Sequence, residues 1–275
     1  MASAQSERPQ SISDSGVLIV GGTSGIGRAA ARAFIAAGAP RLVLVGRDRM
    51  RGAAVRDDLG ALSECDVHFV AADLRDVDGA LRVATEAQRH LHRIDVLINA
   101  AAGTHLPTLL HDNPIETLSE ILTDMALPPL LMTRAVLPLM RAQSSGCIIN
   151  VASDAAKVPT PGESIIGAAM AAIVVFSRTV AMEAKRAGVR VNVLTPSLVE
   201  GTGTAERLRC GDLRGTRADL CTVVPARVST GAGLHNLGLS PGDRVATLGP
   251  NNFHTAEQIA GLALGGFNKP RPLPF

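Results

Sequence analysis

The chain has 275 residues, 46% of them hydrophobic and 19% charged, which supplies a core for one large α/β domain and carries no disorder signature. A net charge of +2 is too mild for a nucleic-acid surface, which needs clustered basic residues. Six Phe, no Trp and no Tyr make up the aromatic content, so no mechanism can draw a phenol from this chain.

Residues 1–15 are polar, lack the apolar stretch of a signal peptide and are expected to be disordered, with 16–275 forming one domain. Short β-branched runs follow at 17–20, 41–46, 66–71, 95–99, 147–152 and 189–194. Between them lie longer stretches of helical period, with Gly38 and Gly188 marking helix ends. Six strands alternating with helices predict an α/β fold, a doubly wound parallel sheet of Rossmann type. The longest apolar run, "IIGAAMAAIVVF" at 165–176, is too short to span a bilayer and is read as a buried helix, so no membrane partner is expected. Cys65, Cys147, Cys210 and Cys221 form no C-x-x-C pair. They are read as buried or free thiols of a cytoplasmic protein, with a Cys210–Cys221 disulfide as the less favoured alternative. No His, Cys or Asp cluster has metal-ligand spacing, and His90 and His92 diverge on a polar helix.

The pattern changes after Pro196. Residues 197–254 have no long helix, and two β-like pieces, "LCTVV" (220–224) and "DRVATLG" (243–249), flank a Gly-rich middle. This segment is expected to be a hairpin lid over the substrate; a surface loop is the alternative.

Directly after the first strand comes "GGTSGIGRAA", with Gly21, Gly25 and Gly27 opening a helix. Small residues let a backbone approach a pyrophosphate, and the helix start supplies free N–H groups and a positive dipole. Thr23 and Ser24 add hydroxyls. At the end of the second strand, where a chain that prefers NAD places an acid, stand Arg47 and Arg49. A guanidinium suits a 2′-phosphate, so the expected cofactor is NADP(H). Asp73, closing the third strand, is a candidate for the adenine amino group; capping the next helix is its other reading.

These features resemble the short-chain dehydrogenase/reductase family over about residues 16–200. The glycine motif, "NAAA" at Asn99–Ala102, "TRAVLPLM" at 133–140, "GCIINVAS" ending on Ser153, and "VRVNVLTPS" with Pro196 carry the resemblance. It implies further cofactor contacts at Ile26, Leu74, Asn99, Ala101, Val151, Pro196 and Val199. It also implies that Ser153 touches the reacting oxygen. The family's catalytic Tyr lies thirteen residues after that Ser and its Lys four further on; here those positions hold Ile166 and Met170. The family's Asn on the central helix is replaced by Met125 or Ala126. Only eleven residues, three of them Pro, follow "TAEQIAGLAL", so the family's last strand is expected to be missing, and a homo-oligomer is left open.

Ile166 and Met170, at i and i+4, are expected to make an apolar pocket wall beside the nicotinamide. Losing a general acid costs roughly 10²–10⁴ in rate, whereas alignment of donor and carbonyl supplies about 7–11 kcal/mol. A hydroxyl such as Ser153 adds about 3–4 kcal/mol. Reduction is therefore feasible for an activated substrate, and a ketone with a neighbouring phenol carries its own hydrogen-bond donor. The chain resembles the atypical angucyclinone ketoreductases of aromatic-polyketide pathways. The expected partner is a small aromatic molecule. His105, just past the fourth strand, is the other candidate acid. Two further readings stay open: a cofactor-binding sensor without turnover, and a cyclase or dehydratase using His105, Asp154 or Glu163.

Overall fold

The Val-, Ile- and Leu-rich runs form parallel strands β1 (Gly16–Val20), β2 (Arg41–Gly46), β3 (Asp66–Ala71), β4 (Val96–Asn99), β5 (Gly146–Val151) and β6 (Val189–Leu194). The computed structural model describes residues 11–101, 103–199, 201–209 and 245–246. A short seventh strand, β7 (Val245–Ala246), completes the order β3-β2-β1-β4-β5-β6-β7. Every neighbouring pair is parallel. The helices are α1 (Gly25–Ala36), α2 (Arg49–Gly60), α3 (Val77–Leu91), α4 (Leu118–Ala142), α5 (Ser164–Ala184) and α6 (Gly203–Arg209).

Side chains alternate across a strand, so each face of the sheet needs its own cover. Leu18, Val20, Val43, Val45, Leu97 and Ile148 meet α3, α4 and α5 on one face. Val17, Ile19, Leu42, Leu44, Ile98 and Ile149 meet α1 and α2 on the other. Helix α4 carries Pro128, Pro129 and Pro138 in its interior. Proline has no N–H, so the carbonyls of Asp124, Met125 and Arg134, four residues earlier, lose their helical donors. Between α4, α5 and the sheet runs a chain of buried amides. Asn99 Nδ2 donates to Asn150 Oδ1 at 2.8 Å, and Asn150 Nδ2 donates to Ser177 Oγ at 2.7 Å.

Three expectations are corrected. Ile12–Asp14, expected within a disordered start, form a 3-10 turn, and Ile12 is buried against α1 and β1. Ile12 is a lone apolar side chain among polar neighbours, too weak a signal to read in sequence. The piece "DRVATLG", expected as one arm of a lid hairpin beside a sheet ending at the sixth strand, instead supplies β7. It runs parallel to β6 through Val193↔Val245 and Leu194↔Ala246. The edge of β6 offers free backbone groups, and Val245–Ala246 pair with its last two residues. Helix α5 is 21 residues long, not twelve. Over its most apolar 18 residues it has a mean hydropathy of 2.0, enough by length and composition to cross a membrane. Here its inner face, Ala169, Met170 and Ile173, packs on Val193 of β6. Of the expected lid, residues 200, 210–244 and 247–254 lie outside the described residues, and Cys210 and Cys221 with them; Cys65 and Cys147 are buried thiols outside any disulfide.

Replacing Asn150, which is fully buried, removes the amide that joins Asn99 to Ser177. Asn150→Ala is expected to lower the unfolding free energy by about 2–3 kcal/mol, read from urea titrations, because two buried polar groups lose a partner.

Candidate active site

In an open α/β sheet a ligand binds beyond the carboxyl ends of the strands, where the strand order reverses. That point lies between β1 and β4 here. Gly21 follows β1 with φ +75°, and a Cβ on it would stand 2.6 Å from the Ala101 nitrogen and 2.8 Å from the Ala100 carbonyl carbon. A Cβ on Gly27 would collide with the Gly21 carbonyl oxygen. Gly25, at φ +48°, opens α1. Ser24 is the cap of α1 but its hydroxyl makes no capping bond, so it stays available to a ligand. Thr23 lies over Gly46 at the end of β2. Ile26 packs into the core beneath.

Beyond β2 and β3 an open cleft of about 310 Å³ is lined by Arg47, Arg49, Ala71, Ala72, Asp73 and Arg82. Asp73 does not cap α3; Asp76 does, accepting from the Gly79 N–H. The Asp73 carboxylate instead holds Arg75, at 2.6 Å to Nη2 and 2.9 Å to Nε. The Arg75 guanidinium, with Arg47 behind it, keeps the Asp73 carboxyl below its usual range. Arg82 donates to the Ala71 carbonyl at 2.8 Å. Arg47 and Arg49 are exposed, and neither pairs with a carboxylate among the described residues. Asp48, the acid nearest the end of β2, is committed elsewhere: it caps α2 and pairs with Arg51 at 3.0 Å. Its bonds to Arg51 hold its carboxyl low.

Asn99 and Thr195 are buried at the carboxyl ends of β4 and β6, and among the described residues Asn99 Oδ1 and Thr195 Oγ1 have no partner. Those orphan oxygens, the glycine cradle and the arginine-lined cleft fit a nicotinamide dinucleotide. Ala101 is exposed beside Gly21. Val151 is half-buried where β5 ends, and Pro196 is buried with its carbonyl accepting from the Asp154 N–H at 3.0 Å. The Leu74 side chain belongs to the core, which leaves its backbone alone for a ligand. Val199 accepts the Thr202 hydroxyl at 2.7 Å. Thr202 stands 3.4 Å from where a Gly25 Cβ would be, so the chain after β6 returns over the glycine loop. Sequence reasoning missed Thr202; its only signal was a hydroxyl six residues past Pro196.

At the end of β5 the Ser153 hydroxyl accepts from the Ala155 N–H and donates to Asp154 Oδ1, each at 3.2 Å. It caps the 3-10 turn Asp154–Ala156. Ile166 and Met170 join Met125, Ala126, Ala152 and Ile173 in one apolar cluster. Met125, Ile166 and Met170, far apart in sequence, thus come together in space. His105 turns to α4, where its Nε2 meets Asp124 Oδ2 at 3.1 Å. Asp124 also receives Arg75 at 3.2 Å. A chain Asp73–Arg75–Asp124–His105 therefore ties the arginine-lined cleft to the loop after β4. Asp124 and Arg75 carry no local motif, so sequence alone did not find them. Burial, reinforced by Asp154, raises the Glu163 carboxyl pKa, and burial lowers that of the Lys157 amine.

A parallel sheet reversing at a glycine loop, with an arginine-lined cleft beside it, defines a dinucleotide-binding oxidoreductase fold. The short chain dehydrogenase family model matches residues 15–211, and the chain belongs to that family, whose members bind a nicotinamide cofactor. It is 35% identical over 185 residues to the bovine (Bos taurus) 3-oxoacyl-[acyl-carrier-protein] reductase, covering 66% of this chain and 74% of that protein. It is 32% identical over 200 residues to dehydrogenase/reductase SDR family member 7B of Danio rerio, covering 70% of this chain but only 63% of that protein. Levodione reductase superposes with a TM-score of 0.74 at 25% identity, over 91% of this chain and 90% of the other.

Gly21→Ala places a methyl against the Ala100–Ala101 peptide at a positive φ. The expected outcome is a folded protein with at least roughly tenfold weaker binding of the reduced nicotinamide dinucleotide, followed by its emission.

Proposed function

We propose that the protein is an NADPH-dependent ketoreductase that reduces a carbonyl of an aromatic polyketide, angucyclinone-like substrate, without a Tyr general acid. The observation that carries this reading is the apolar cluster at Met125, Ile166 and Met170, the positions where the family keeps its proton-handling side chains. An apolar wall excludes water and suits a flat aromatic ring. In the reading, Gly21, Gly25 and Gly27 hold the pyrophosphate, Thr23 and Ser24 donate to it, and Arg47 and Arg49 receive the 2′-phosphate. Three guanidiniums around the single carboxylate of Asp73 favour that phosphate over a bare ribose. When bound, the reduced nicotinamide supplies the hydride. Ile166 and Met170 hold the ring in place. A phenol next to the substrate carbonyl donates a hydrogen bond to it and stabilises the oxyanion as it forms. Ser153, already bonded on both sides, adds a dipole directed by its turn. The cytoplasmic location and the aromatic small-molecule partner belong to the same proposal.

Two measurements test it. Arg47→Ala is expected to weaken NADPH binding roughly ten- to hundredfold while leaving NADH binding unchanged, as expected for the loss of a charge-assisted hydrogen bond. The absence of Trp and Tyr leaves NADPH emission unobscured in that assay. Deuterated NADPH is offered to tetralone and to the same ketone with a peri-hydroxyl. Label at the carbinol carbon of the hydroxylated ketone alone is the expected result. Tight NADPH binding with no label moved would instead favour a sensor.

A further inference from the structure

We propose that Glu163 is the proton donor that completes this reduction, one helical turn ahead of the position where the family's Tyr would stand. The inference rests on the ketoreductase reading and deepens it.

Glu163 immediately precedes α5, and its carbonyl accepts from the Gly167 N–H at 2.6 Å. Positions 163, 166, 167 and 170 recur at i, i+3, i+4 and i+7, so they share one face of the helix. Ile166 and Met170 of that face belong to the apolar cluster that α5 makes with α4 and β6. Gly167 of the same face lies against the 3-10 turn after β5: a Cβ there would come 2.8 Å from the Ala155 carbonyl oxygen. That close approach brings Asp154 within electrostatic reach of Glu163. From the other side the loop after β4 closes down, with the Thr108 N–H donating to the Gly162 carbonyl at 2.8 Å and Pro107 beside Gly162. Glu163 is half-buried at the meeting of these two loops. Among the described residues its carboxyl has neither a hydrogen bond nor an ion pair.

A partly buried carboxyl without a partner costs stability, and such groups collect where chemistry needs them. Asp154 is the charged group of the turn after β5 that acts on it. Pro107 and Thr108, which face it from the loop after β4, are uncharged. His105 of that loop is engaged by Asp124. Burial first, and then Asp154, raise the pKa of Glu163. The carboxyl therefore keeps its proton to a higher pH than an ordinary glutamate, as a donor requires.

Hydride passes from the reduced dinucleotide to the carbonyl carbon, and the C=O π pair moves to oxygen. The neighbouring phenol gives that oxygen its proton and becomes a phenolate. Glu163 gives its own proton to the phenolate, and the resulting carboxylate takes one from bulk water. One ketone, one reduced dinucleotide and one proton yield one alcohol and one oxidised dinucleotide. Because only protonated Glu163 can donate, reduction declines as pH rises through its pKa.

Two readouts on the full chain test the inference. Infrared titration of the ligand-free protein, wild type minus Glu163→Gln, reads the Glu163 carboxyl band. A midpoint above that of an ordinary glutamate, falling in Asp154→Asn, is expected; an ordinary midpoint overturns the proposal. With NADPH and the peri-hydroxylated tetralone, Glu163→Gln is expected to turn over at least roughly tenfold more slowly. It should also lose the decline at high pH while binding NADPH as the wild type does. Full rate in Glu163→Gln, or an unchanged pH profile, overturns the proposal. If the wild type reduces neither ketone, the substrate reading fails, and the infrared midpoint still decides for or against Glu163 as a carboxyl held for proton transfer.

Discussion

Two stretches of backbone nearly touch where the strand order of the sheet reverses: Gly21 leaving β1, and Ala100–Ala101 leaving β4. No side chain fits between them. That contact requires glycine at position 21 and small residues after Asn99, and it turns the start of α1 toward the open end of the sheet. The rest of the site is arranged around this seam. The arginine-lined cleft lies on its β2–β3 side and the apolar cluster on its β5–β6 side. An extended ligand that crosses the seam passes from a strongly cationic region to an oily one within one molecule.

The contrast between the two ends has a physical basis. At the cationic end Arg47 and Arg49 face solvent, where a guanidinium costs little to keep and binds phosphate in a planar fork. At the oily end Met125, Ile166 and Met170 displace water, which strengthens the polar interactions that remain. A Lys at position 170 would need a nearby partner to offset its desolvation, because that position is buried. Met170 removes this demand, and the interior closes over it with Ile173 and Val193. The polar groups left at this end, Ser153, Asp154, Lys157 and Glu163, all sit on the one turn and helix start that Gly167 allows to approach each other.

Much of the fold was legible because its signals are local. Six strands announced themselves by Val and Ile, and Gly38 and Gly188 closed their helices at positive φ as read. Glycines before α1 could be placed because a backbone requirement selects one residue type. What was not legible depends on partners far along the chain. Asp73 offered two roles, and only the position of Asp76 shows that capping α3 is not one of them. His105 had no visible orienting group, since Asp124 is nineteen residues away on another element. Val245–Ala246 carries too few residues for a periodic signal, and its edge position is a property of β6 rather than of its own sequence. The run 165–176 ended at the first polar residue, whereas the helix continues through Ser177 because that hydroxyl bonds to Ile173 and Asn150.

The adjacent prolines of α4 divide one helix into two mechanical parts. Pro128 and Pro129 delete two successive rungs of the helical ladder, just after the turn that presents Asp124 and Met125. The body from Leu130 to Ala142 is anchored to the sheet through Met132, Val136 and Met140. The arm from Leu118 to Leu127 is joined to it by fewer bonds and carries both the carboxylate that grips His105 and the Met125 thioether of the apolar cluster. Any displacement of Met125 therefore works against a hinge rather than against an intact helix, and a swing of the arm also pulls on the ion pair that reaches back through Arg75 to the arginine-lined cleft.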